Sequence, residues 1–245
     1  MRPDSSSPGP PHPAAVLFDM DGLLVDTEHV WFEVECVVVN ALGGSWGPDD
    51  QALLVGGPLE RTIEHIAATV PVPIDPDDVK RQLVDGMVTR LRGGAVTWRP
   101  GARELLSQVA AAGVPRALVS SSLRPMVEAV LDAIGREHLP ITVSGDDVAR
   151  TKPHPEPYLL GAALLGVDPA YCVVLEDSAT GATAGRAAGC FTIAVPSVGV
   201  IADDVADHQV SSLRELDVDI LGALLAQARG SRPGVSAPEV VNSGP

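Results

Sequence analysis

The chain has 245 residues, 45% of them hydrophobic and only 3% aromatic, so Leu, Val, Ile and Ala must fill the core of one large domain or of a core with a smaller insert. Its 32 acidic against 17 basic residues give a formal net charge of −15, which repels nucleic acid and anionic membrane surfaces and makes any phosphate site depend on local cations. No apolar run of about 18 residues marks a membrane helix, Cys36, Cys172 and Cys190 form no CxxC pair, and no His-x-x-x-His spacing marks a zinc site.

Residues 1–13 are rich in Pro and Ser and lack the apolar stretch of a signal peptide, which predicts a disordered tail on a cytoplasmic protein. Residues 14–19 (AAVLFD) then read as a strand buried on both faces and ending in a carboxylate. The alternation breaks from residue 28 to residue 94. There Leu59, Ile63, Ile66 and Val70 follow Pro58 at helical spacing, and Val79, Leu83, Met87 and Leu91 follow Asp75 and Pro76. This predicts an all-helical cap inserted after the first strand. Strand-length apolar runs return at residues 116–120, 141–144, 171–177 and 191–195, separated by helical segments at 102–113, 126–135, 156–165 and 178–188. The alternation predicts an α/β core, a doubly wound parallel sheet built from residues 14–27 and 95–228. Residues 229–245 read as a second disordered tail. Cys172 and Cys190 lie in apolar runs, as buried thiols of a reducing compartment do.

Four short segments fall at or just after predicted strand ends. Asp19, Asp21 and Gly22 close the first strand; carboxylates at i and i+2 of an extended segment point to one side, where they share a proton or a cation. Asp-x-Asp-Gly also occurs in calcium loops and plain turns. Glu176 and Asp177 end a later strand as metal ligands, or Asp177 or Ser178 caps the following helix. Ser120, Ser121 and Ser122 follow the strand RALV, as a phosphate cradle or as helix caps. Lys152 lies in TKPHPEPY, stiffened by Pro153, Pro155 and Pro157, either gripping a phosphate or simply solvated; His154 reads as a loop residue. Together they supply a nucleophile, an acid, a cradle, a cation and an all-oxygen metal site, which is a set for phosphoryl transfer.

In the order DMDGLLVDTE, LVSSS, TKPHPEPY and VLEDSATG, these segments resemble the haloacid dehalogenase superfamily, over roughly residues 14–228. The likeness is to members with a helical cap, the phosphatases and β-phosphoglucomutases acting on sugar phosphates and similar metabolites. It implies Asp19 as nucleophile through an aspartyl-phosphate and Asp21 as general acid and base. It implies Mg²⁺ on Asp19, the Asp21 carbonyl and Asp177, with Glu176 in support. Ser120, the Ser121 backbone and Lys152 would hold the phosphoryl oxygens of a small phosphorylated substrate. Dehalogenating relatives lack the second aspartate, which is present here. Mutases need a cap cation for a second phosphate. Aligned on the cap glycine of LLVGGPLERTIEHI, that position is Leu59, with Arg61 at another angle of the helix. The expectation is a phosphatase, with a β-phosphoglucomutase as the alternative and a non-catalytic binding module behind both. His29, Trp31, Arg61 and His65 are candidate cap contacts, with Trp31 and His65 reading rather as packing or surface residues. The expected assembly is a monomer or weak homodimer with neither nucleic-acid nor membrane partners.

Overall fold

A computed structural model describes residues 12–55 and 57–230. The chain enters strand β1 (Ala15–Phe18) and then the two-residue strand β2 (Val25–Asp26). Four helices follow: α1 (Glu28–Ala41), α2 (Pro48–Leu54), α3 (Leu59–Thr69) and α4 (Pro76–Arg92). Strand β3 (Thr97–Trp98) leads into α5 (Ala102–Ala111), β4 (Arg116–Val119), α6 (Arg124–Ile134) and β5 (Ile141–Val143). Helix α7 (Glu156–Leu165), β6 (Cys172–Glu176), α8 (Ala179–Ala187), β7 (Phe191–Ala194), β8 (His208–Gln209) and α9 (Val218–Gly230) complete it.

Six strands form a parallel sheet in the order β5-β4-β1-β6-β7-β8, the expected α/β architecture. Adjacent side chains of β1 enter opposite layers. Leu17 packs with Tyr158 and Ala162 of α7 and Ala184 of α8, while Val16 and Phe18 join the apolar faces of α5, α6 and α9. From β1 the chain moves outward to β4 and β5, then crosses back to β6 on the other side of β1. That reversal opens a crevice at the carboxyl ends of β1 and β6, where ligands of open α/β sheets bind. The register fixes what meets there. Phe18 pairs with Leu118 and Leu175, so the next residue, Asp19, comes level with Val119 and Glu176.

The α1–α4 insert joins the sheet through β2 and β3, which pair antiparallel as Val25↔Trp98 and Asp26↔Thr97. Its apolar spacing is realised as burial. Val79, Leu83, Met87 and Leu91 are at most 1% exposed, and Asp75 caps α4 by accepting the Asp77 N–H at 3.0 Å. Helix α4 packs on α1 and α3 within the insert and on α6 of the sheet layer. The helical run expected to include Val70 ends at Thr69. Val70 is extended (φ −86°, ψ 149°), because the following Pro71 disfavours a helical residue before it. The two-residue strands β2, β3 and β8 carry no apolar run that periodicity could detect.

Both expected tails lie mainly outside the described residues, and both boundaries shift where the chain is described. Pro13 is buried and His12 Nε2 stands 3.2 Å from Asp219 Oδ1. Arg229 belongs to α9, donates to the Ala170 carbonyl at 3.1 Å and lies 3.5 Å over the Tyr171 ring. Burial of Pro13 and the polar and cation–π contacts of His12 and Arg229 hold these residues where composition alone predicted no structure. Cys172 and Cys190 are buried free thiols, as their apolar contexts predicted.

Inside the insert Glu35 is 4% exposed and accepts the Trp46 indole N–H at 3.0 Å. Burial pushes its carboxyl from 4.5 up to about 7, with the Trp46 bond opposing and Glu28 adding. Between those values the folded protein holds a proton that the unfolded chain has released. Stability therefore falls as pH rises through this window and levels off above it. Glu35→Gln keeps the hydrogen bond without the charge, and should stabilise the protein at pH 8 by up to about 3 kcal/mol while changing little at pH 4.5. Urea midpoints of both proteins across that range measure the difference; parallel curves would refute it.

Candidate active site

The carboxyl ends of β1, β4 and β6 meet around one ammonium. Lys152 Nζ lies 2.5 Å from Asp19 Oδ1, 2.6 Å from Glu176 Oε1 and 2.8 Å from the Val119 carbonyl, which uses all three of its N–H donors. Its side chain is 5% exposed, and those of Asp19 and Glu176 are 9% and 0%. Burial opposes the charge on Lys152, but Asp19 and Glu176 outweigh it and raise the ammonium above its ordinary value. For Asp19 burial wins. It holds the carboxyl well above the usual carboxylate range, with Lys152 opposing and Glu176, Asp177 and Asp21 adding.

Glu176 is an anchor with its acceptors filled. Oε1 receives Lys152 and the Tyr158 hydroxyl (2.5 Å), and Oε2 receives the Ser178 hydroxyl at 3.2 Å and the Asp177 N–H at 3.2 Å. Tyr158 is fully buried, and its ring lies 4.9 Å beneath Lys152 Nζ. Gly181 of α8 makes room for this carboxylate, since a Cβ there would fall 1.8 Å from Glu176 Oε1. Ser178, not Asp177, caps α8 by accepting the Gly181 N–H at 3.1 Å. Asp177 is thereby left for another task.

Asp177 Oδ2 accepts the Ser197 hydroxyl at 2.5 Å. Burial raises the Asp177 carboxyl to about 7, with Glu176 adding and Ser197 and Lys152 opposing. The turn after β1 presses on this pair. Gly22 has φ +82°, and a Cβ on it would stand 1.9 Å from Asp177 Oδ2.

Asp21 stands beside this cluster, and its charge helps to raise the carboxyls of Asp19 and Asp177. Carboxylate oxygens of Asp19, Glu176 and Asp177 all lie within 4.8 Å of one another, and the group does not include Asp21. Asp21 Oδ1 accepts the Thr27 hydroxyl at 2.6 Å, and Oδ2 accepts those of Ser122 at 2.7 Å and Ser120 at 3.4 Å. Ser120 also accepts the Ser122 N–H at 2.9 Å. The serines do not cap α6, whose N-cap is Leu123. Ser121 is exposed at the same turn.

The donor set suits a hard dication. It is all oxygen, it crowds three carboxylates into a nearly dry pocket, and two of them are pushed toward protonation by that crowding and burial. Among the described residues no hydrogen bond reaches Asp19 Oδ2 or Asp177 Oδ1, so one oxygen of each is left for a cation or a substrate.

Among the described residues no hydrogen bond or ion pair joins the candidate cap residues to this cluster. His65 bonds Asp50 at 2.7 Å and meets the Trp46 ring edge-on, and Trp31 packs partly buried against the core. His29 stands 3.9 Å from Asp26, and Arg61 is exposed. Leu59 packs partly buried on apolar neighbours. Residue spacing missed Glu28, whose carboxyl is raised by burial and by Asp21 and Asp26, and which is bonded by Gln51 at 3.1 Å. Thr27 and Tyr158 lay unweighed within the quoted motifs, while Ser197, in a separate loop, carried no signal.

Comparison with known proteins agrees with this geometry. Residues 13–189 match the haloacid dehalogenase-like hydrolases. Hexitol phosphatase B of Escherichia coli is 34% identical over 221 residues, covering 85% of this chain and 96% of that protein. The crystal structure of CbbY from Rhodobacter sphaeroides in complex with phosphate is 29% identical, with a TM-score of 0.74 over 83% of this chain and 96% of that one. A putative β-phosphoglucomutase from Thermotoga maritima is 26% identical, with a TM-score of 0.66 over 89% and 99%. The chain belongs to the haloacid dehalogenase-like hydrolase family, as a phosphoric monoester hydrolase.

Proposed function

We propose that the chain is a cytoplasmic, Mg²⁺-dependent phosphatase of small phosphomonoesters, sugar phosphates or similar metabolites, working through an aspartyl-phosphate on Asp19. One observation carries this choice: Asp19 has one oxygen bound to Lys152 and, among the described residues, its other oxygen free of hydrogen bonds, at the carboxyl edge beside Asp177. A carboxylate so divided is fixed in place yet keeps a lone pair for phosphorus. The helical insert, residues 28–94, serves as a cap over that edge.

In the first step Asp19 Oδ2 bonds to phosphorus as the ester P–O bond breaks, and Asp21 gives its proton to the departing alcohol oxygen. In the second, Asp21 takes a proton from water, whose oxygen displaces Asp19 from phosphorus. The hydroxyls of Thr27 and Ser122 hold Asp21 for both transfers. Ser120 and the Ser121 backbone bind phosphoryl oxygens, and Lys152 reaches them by exchanging the Val119 carbonyl for a phosphoryl oxygen. Asp19, Asp177 and the Asp21 carbonyl would hold Mg²⁺, which when bound offsets the negative charge of carboxylates and phosphate together. Glu176 supports the site by fixing Lys152.

Leu59 at the mutase cation position favours hydrolysis over isomerisation. With β-glucose 1-phosphate and a trace of the 1,6-bisphosphate, inorganic phosphate should appear faster than glucose 6-phosphate, and only with Mg²⁺ present. Faster isomerisation would select the mutase reading and turn attention to Arg61. Full activity in excess chelator would defeat the metal assignment.

A further inference from the structure

We propose that Ser197 is a positioning residue that sets the Asp177 carboxylate for metal binding from the loop after β7; the inference rests on the Mg²⁺ site proposed above. Glu176 is held by several donors, but among the described residues the Asp177 carboxylate accepts a side-chain hydrogen bond from Ser197 alone, at 2.5 Å. The Ser197 hydroxyl has one proton, and it is committed to Oδ2. Among the described residues Oδ1 takes no hydrogen bond, which leaves it for the metal. Without that bond Asp177 is free to rotate about its side-chain torsions, and a metal must spend binding energy to fix it.

Two further observations single out this contact. A Cβ on Gly22 would fall 1.9 Å from Asp177 Oδ2 and 2.9 Å from Ser197 Oγ, so the turn that carries Asp19 and Asp21 is seated directly on the pair. The pair therefore links three separate segments: the turn after β1, the end of β6 and the loop after β7. The chain leaves the core just beyond Ser197: Val195 is 7% exposed, Val198 and Val200 are 58% and 94% exposed, and Ile201 returns to 3%. The hydrogen bond is the polar contact that joins this stretch to Asp177.

The test is calorimetric titration of the full chain with MgCl₂ in the absence of substrate, for wild type, Ser197→Ala, Ser197→Thr and Asp177→Asn. Ser197→Ala should weaken Mg²⁺ binding about 10-fold or more, and Ser197→Thr, which keeps the hydroxyl, should restore most of it. The Mg²⁺ concentration for half-maximal activity should move by the same factor, with KM for the phosphomonoester little changed at saturating Mg²⁺. Asp177→Asn should abolish binding. Unchanged affinity in Ser197→Ala alongside loss in Asp177→Asn overturns the role of Ser197 and leaves the metal site standing. Unchanged affinity in Asp177→Asn overturns the metal site itself. Weak binding in both Ser197 variants, or a melting temperature in chelator that falls with Ser197→Ala, assigns the effect to loop structure and also overturns the proposal.

Discussion

Asp19→Asn is expected to lower phosphate release by at least about 10⁴-fold, or about 5.5 kcal/mol of barrier, while the fold is retained. The amide has nearly the shape of the carboxylate, and its oxygen can still accept from Lys152, which keeps Glu176 as its anionic partner. What is lost is the nucleophile. Burial already opposes a charge at this position, so removing the charge should leave the melting temperature unchanged or raise it. Phosphate release and a thermal melt on the same preparation check both halves. Activity within tenfold of wild type would exclude Asp19 as the attacking group, and a collapsed melt would make the loss uninformative about chemistry.

Lys152→Met should have the largest effect on stability, about 3–5 kcal/mol, because it leaves buried carboxylates without their cation. Glu176 is fully buried and Lys152 is 5% exposed, so water reaches neither to compensate. Activity should fall as well, since the same ammonium is assigned to the phosphoryl oxygens. A double variant separates the two losses. Lys152→Met with Glu176→Gln removes the stranded charge as well, and should recover much of the stability and none of the turnover. Urea unfolding at pH 7 reads the first effect and phosphate release the second. Additive losses in the double variant would show that Lys152 and Glu176 are not energetically coupled, contrary to their 2.6 Å contact.

The residues most legible in the sequence are those whose position follows from strand burial. Asp19 and Glu176 each end an apolar run with nothing to pair with inside it, and the parallel register brings them level. Lys152 was legible because three prolines follow it closely, although its full enclosure by Asp19, Glu176 and Val119 was not. For Asp21 the sequence placed the carboxyl near Asp19, but its partners Thr27 and Ser122 come from the turn after β1 and the loop after β4, which spacing does not encode. Ser197 lies 20 residues beyond its partner in an exposed loop, where only the three-dimensional path makes the contact. The insert was legible as helices because its apolar face repeats at helical spacing. Its polar contacts, such as Gln51 to Glu28, depend on packing angles that spacing does not encode.

Attack by Asp19 on phosphorus makes hydrolysis a double displacement, and stereochemistry at phosphorus reports the number of displacements directly. The measurement is hydrolysis of an isotopically chiral phosphorothioate ester, made from a monophosphate that the enzyme turns over, in oxygen-labelled water. Two in-line transfers, to Asp19 and then to water, each invert phosphorus, so the product should show net retention. Net inversion would mean that water attacks the ester directly and would contradict the aspartyl-phosphate on Asp19.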